Sequence, residues 1–138
     1  MFRIPAQDTT KDPYFAAYYN EFNKTPTATH DYSFSPPVSM YHALLIALEG
    51  GGWNATSLRN RTTSVELDYC AFINSPNETG FDLLYPVTHS VVDWSPQRIN
   101  ETTIYRYVWT ITVGNRFYYV DVATAELVFT VARIPSFP

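Results

Sequence analysis

Cysteine is nearly absent from this 138-residue chain: Cys70 stands alone. One thiol builds no disulfide framework, so stability must come from packing, glycans or neighbouring subunits. Lysine is almost as scarce, with Lys11 and Lys24 the only two among nine basic residues. Charged residues make up 16% and the formal net charge is −4. No basic stripe runs along any segment, which excludes the electrostatic footprint of a nucleic-acid binder. Long apolar runs are missing too. The longest, Ala43-Leu44-Leu45-Ile46-Ala47-Leu48, is far short of the roughly twenty residues that span a bilayer, so no transmembrane segment is expected.

Motifs that carry chemistry are also missing. No H-E-x-x-H, C-x-x-C, P-loop or G-x-S-x-G stretch occurs. His30, His42 and His89 are too widely spaced to form a ligand pair, and His42 reads as solvated. Gly50-Gly51-Gly52 follows a helical pattern instead of preceding one, so it reads as a helix stop and not as a phosphate loop. Glu66 and Asp68 share a strand face about 7 Å apart. A paired-carboxylate hydrolase can use such a spacing; here the two read as a solvated face. Cys70 shares that face, lacks an orienting third residue and reads as a buried small hydrophobe. The chain is expected to be non-catalytic, with no catalytic residue, no metal site and no cofactor.

What is present is aromatic. Phe, Trp and Tyr reach 17%, and 11 of them are Tyr. Tyr-rich surfaces suit protein or glycan contact, because Tyr offers a large area with a polar tip. Asn-x-Thr is also over-represented, at Asn23, Asn54, Asn60, Asn77 and Asn100. Five of eight asparagines occupy acceptor sites, where chance places about one or two. The flanking residues are turn-like, as a bulky glycan requires. Met1 is followed at once by a polar, Pro-containing segment, so no signal peptide is read there. The sequons nevertheless point to an extracellular or cell-surface protein carrying N-linked glycans.

Three regions follow along the chain: 1–37, 38–133 and a tail at 134–138. Residues 1–37 contain Pro5, Pro13, Pro26, Pro36 and Pro37, which argue against long regular elements. This extended segment carries Tyr14, Phe15, Tyr18, Tyr19 and Phe22. It must bury them on its own domain or on another copy, as an inter-subunit arm. Ser39 to Glu49 reads as a helix capped by Ser39, with Met40, Ala43, Leu44, Ala47 and Leu48 in one stripe. From Thr62 onward the pattern is β. Val65, Leu67 and Tyr69 alternate with acids. Strand 103–113 places Tyr105, Tyr107, Trp109, Ile111 and Val113 on one face. Gly114-Asn115 is a type II′ hairpin turn, and 127–133 is the last strand. The fold class is α+β: one amphipathic helix on an antiparallel meander of about four to five strands.

The stretches SMYHALLIALEGGGW and YVWTITVGNRFYYVDVATAEL resemble the PepSY-type module. In that family a strand ends in a Tyr-Val-Asp-Ala-x-Thr-Gly-Glu turn. Tyr119-Val120-Asp121-Val122-Ala123-Thr124-Ala125-Glu126 is similar, with Ala125 where Gly is usual. The resemblance implies a non-catalytic extracytoplasmic domain, associated elsewhere with protease propeptides and envelope interaction. Asp121 is expected to tie down its own turn through nearby backbone N–H groups.

Two functions are compatible with these features. One is a self-assembling surface filament or fibril subunit, joined to its copies by strand addition through Leu127, Phe129 and Val131 at an apolar edge and through the aromatic N-terminal residues. The other is a monomeric PepSY-like module that docks on a protease or envelope protein. Arg-Ile-Pro occurs at 3–5 and again at 133–135, places where chain enters or leaves the folded unit and where an end-to-end junction is expected.

Overall fold

A computed structural model describes residues 12–28, 36–89, 91 and 93–132. Both Arg-Ile-Pro stretches, His30 and the tail at 134–138 lie outside the described residues. The elements run α1 (Pro13–Phe22), β1 (Thr27–Ala28), α2 (Met40–Gly50), α3 (Ala55–Leu58), β2 (Thr63–Asn74), β3 (Thr79–Pro86), β4 (Gln97–Arg98), β5 (Thr103–Val113), β6 (Arg116–Asp121) and β7 (Leu127–Ala132). The α+β class stands. Five strands are substantial, and β1 and β4 add two residues each.

β2 and β5 form the spine. They pair antiparallel over eleven positions, from Thr63↔Val113 to Ile73↔Thr103. β6 and β7 continue from β5 as an antiparallel meander, while β3 pairs with the other side of β2. β1 runs parallel to the start of β2. The order is β1-β2-β5-β6-β7, with β3 on β2 and β4 on β5. Leu84 of β3 and Val128 of β7 have no opposite residue, so each of these strands carries a bulge that sharpens its local twist. Gly114 at φ +58 makes the two-residue hairpin between β5 and β6, as its Gly-first turn requires.

One sheet face is covered by helices. Period-2 alternation sends Val65, Leu67, Trp109, Ile111, Tyr118 and Val120 to that side, and all are buried. α2 presents Met40, Ala43, Leu44, Ala47 and Leu48 to them, each no more than 2% exposed. Burying each larger apolar side chain contributes about 1.5–3 kcal/mol. The Ser39 hydroxyl caps the helix by accepting from His42 N–H at 3.1 Å. Gly52 at φ +72 ends it, and Trp53 N–H returns to Leu48 C=O at 2.9 Å. Trp109 Nε1–H donates to the Val38 carbonyl at 2.8 Å, which fastens the entry to α2 onto the sheet.

The N-terminal segment departs from expectation. Among its described residues, Pro13–Phe22 is helical and not extended. Pro13 was read as a breaker, yet it occupies the first turn, where a missing N–H costs nothing and φ is already helical. Asp12 caps that turn by accepting from Tyr14 N–H at 2.8 Å, and Asn23 closes the helix at φ 54. Several of its aromatic side chains pack on this domain itself. Tyr18 is fully buried, its hydroxyl 3.2 Å from Thr63 Oγ1. Phe15 meets Tyr41 edge-on at 5.0 Å, and Phe22 lies half-buried against Tyr18. His42 is half-buried, its ring stacked on Tyr14 at 4.0 Å. α1 is part of this domain's own core. Tyr18→Ala is therefore expected to cost about 3–5 kcal/mol of folding free energy. A thermal melt checks this, since removing a residue from a solvated arm leaves the melting temperature unchanged.

Candidate functional site

Among the described residues no helix lies on the opposite sheet face, yet its centre is closed to solvent. Cys70 and Val108 are 0% exposed. The seal is aromatic. Phe72, Phe81, Tyr119 and Phe129 interlock, with Phe81 and Tyr119 centroids 4.5 Å apart and Phe81 and Phe129 5.4 Å apart. β3 and β7 are separated by four strand spacings, about 19 Å in a flat sheet. Contact between their rings requires the sheet to curl toward this face. Such ring pairs add about 0.5–1.5 kcal/mol each beyond area burial.

Polar groups sit beneath that seal. Asp68 is 3% exposed, and its Oδ2 accepts from Thr110 Oγ1 at 2.5 Å. Asp68 is thus not on the solvated strand face that alternation implied, because the curl encloses it, while Glu66 is half-buried. Burial first, and then Asp68 and Glu66, push the Cys70 thiol from its ordinary value near 9 up to about 12. A thiol held so high is protonated at neutral pH and is a poor nucleophile. His42 lies on α2, across the sheet from Cys70. Burial likewise raises the Tyr119 phenol. Among the described residues no group of three or more His, Cys, Asp or Glu is placed to hold a metal ion.

Beside the seal lies a cleft of about 580 Å³, between the β2–β3 turn and the first half of β7. Phe72, Ile104 and Phe129 supply apolar lining, and Arg98, Arg106, Glu101 and Glu126 surround them. Arg106 is committed: its guanidinium donates to Asp121 Oδ2 at 2.8 Å and lies 3.6 Å from Glu126. Asp121 does tie down its own turn, with Oδ1 accepting from Ala123 and Thr124 N–H at 2.7 and 2.9 Å. Ala125 in that turn stands at φ +64, a left-handed conformation that penalises a Cβ.

The five sequon asparagines are all exposed. None lies in a strand. Asn23, Asn54 and Asn60 border α1 and α3 at one end, and Asn77 and Asn100 lie in turns at the other. β2 separates the two groups, its twelve residues reaching about 40 Å. Four of the five also have a backbone task. Asn23 and Asn60 adopt positive φ, Asn54 caps α3, and Asn100 accepts from Thr102 and Thr103 N–H. These tasks explain Asn at each position. They do not explain a Thr two residues later every time.

No family model matches the chain, and no curated protein or solved structure matches it either. The account of its function therefore rests on its own surfaces.

The expected contact residues separate. Tyr14 and Tyr19 are exposed on α1, at 38% and 43%, while Tyr18 is buried. Leu127 packs toward α2, and Phe129 and Val131 pack on the curled face. What β7 leaves open is its outer edge, with exposed Thr130 and Ala132. Among the described residues β7 pairs only with β6, and β3 only with β2. β3 was overlooked as a surface. Its Leu83, Leu84 and Tyr85 are 53%, 39% and 47% exposed. The signal was the apolar run Leu83-Leu84-Tyr85 stopped by Pro86.

Two outcomes are expected here. Ala125→Gly should stabilise the fold by about 1 kcal/mol, read as a raised melting temperature. The Cys70 thiol ionises near pH 9 when unfolded and near 12 when folded. The unfolded chain therefore sheds its proton first, so stability is intact below pH 9 and declines from there toward 12. Cys70→Ala should flatten part of that decline in a denaturant series across pH 8–11; an identical slope in the variant contradicts the assignment.

Proposed function

We propose that this chain is a secreted, N-glycosylated structural subunit of a surface filament or fibril, with no catalytic role. It assembles with copies of itself by adding strands at the edge of its sheet. One observation carries this reading: all five exposed sequon asparagines lie off the strands, while among the described residues the outer edges of β3 and β7 are unpaired and carry no acceptor asparagine. β7 contains no charged residue, and charge, lysine above all, is the usual device that blocks an edge. Main-chain hydrogen bonds along such an edge join subunits without a large side-chain interface. Glycans at both ends of the domain keep the product soluble. Among the described residues no helix is long and apolar enough to cross a membrane.

A second reading has its own support. α1 packs on its own domain, and Asp121 closes its turn by accepting from the Ala123 and Thr124 N–H groups. These features suit a monomeric module that docks on a protease or envelope protein.

Sedimentation velocity on protein secreted from a glycosylating host separates the two. The assembly reading expects a species many times larger than one chain. Thr130→Lys with Ala132→Lys, both on the exposed side of β7, should reduce it to single chains with the melting temperature unchanged. Single chains of the parent at high concentration would leave the docking module as the function.

A further inference from the structure

Resting on the assembly reading, we propose that the surface receiving β7 of one copy is β3 of the next, so that one sheet continues from copy to copy. The large exposed apolar side chains are unevenly spread. Six are found among the described residues, and three of them, Leu83, Leu84 and Tyr85, are consecutive on β3. An isolated exposed Leu needs no explanation; a run of three on an unpaired edge marks a contact surface.

The complementary surface is β7. It is six uncharged residues long, against eight on β3, of which only Asp82 is charged. Neither edge places a like charge against the other. Their shared shortage of charge favours a neutral, extended, strand-shaped partner, and each copy carries one at its other edge. The cleft of about 580 Å³ beside the start of β7 gives inward-facing side chains of the added strand a place to enter. Alternate side chains reading a pocket while the main chain pairs is how strand addition obtains specificity.

The two edges end the β3-β2-β5-β6-β7 order. The curl brings them to either side of the cleft at Thr79, Gly80, Leu127 and Phe129, while Leu83, Leu84 and Tyr85 stay exposed farther along β3. Pairing of β7 with β7 satisfies one edge and leaves β3 bare on every copy. Pairing of β7 with β3 satisfies both, and because the two surfaces differ, it propagates instead of stopping at a two-fold dimer.

A mixing experiment tests this without knowledge of the register. One variant carries Thr130→Lys and Ala132→Lys, which blocks β7 and leaves β3 intact. The other carries Leu83→Lys and Leu84→Lys, which blocks β3 and leaves β7 intact. Each melts like the parent; Leu84→Lys alone replaces the double β3 variant if that one melts earlier. The parent polymerises, each variant alone runs at the mass of one chain, and an equimolar mixture runs at twice that mass. A β3-blocked variant that polymerises like the parent overturns β3 as the partner while self-assembly stands. A mixture that stays at one-chain mass also overturns it. A parent that never exceeds one chain removes the assembly reading itself.

Discussion

The antiparallel pairing of β2 with β5 is the constraint on which the rest depends. Eleven paired positions separate the chain into two sets of side chains. One set, with Leu67 and Trp109 directly opposite each other, meets α2. The other set, with Asp68, Cys70, Val108 and Thr110, is enclosed by the curl. Every other strand attaches to one of these two, except β7, which pairs with β6. A slip of one residue would exchange the faces, sending Asp68 and Cys70 under the helix and Trp109 to the far side. The burial of the Trp109 indole and its bond to the Val38 carbonyl hold that register in place.

Curling solves a problem that the composition poses. A seven-stranded sheet with one substantial covering helix has a second face to bury. Here the face covers itself, because Phe81 and Phe129 reach toward each other over Phe72 and Tyr119. Among the described residues the core is thereby completed without a second layer of helices. The curl creates the cleft between β3 and β7 and leaves Leu83, Leu84 and Tyr85 of β3 and Thr130 and Ala132 of β7 exposed. The same device that stabilises the single chain thus sets out the surfaces on which the assembly proposal rests.

Local signals were legible wherever a residue acts on its own neighbours. Ser39 as a cap, the stripe of α2, Gly114 in its hairpin and Asp121 in its turn could all be read from adjacent residues. Long strands were legible from alternation. What escaped depends on distant partners. Pro13 was read as a breaker because its value at the first helical turn appears only once Asp12 caps it and Tyr18 has a burial site at Thr63. His42 looked solvated because Tyr14 lies 28 positions away in sequence. The enclosure of Asp68 and Cys70 rests on rings from β3, β6 and β7, and no period-2 pattern reveals that a sheet will curl. The exposed run on β3 was visible as letters, but its exposure followed only from finding β3 at an edge.

Electron cryomicroscopy of the glycosylated protein tests the central claim most directly. The account predicts polymers in which one sheet passes from subunit to subunit at β3 and β7, with glycan density at the two ends of each domain and none along the joined edges. Isolated domains, or polymers joined through α1 or through the sequon-bearing ends, would contradict it.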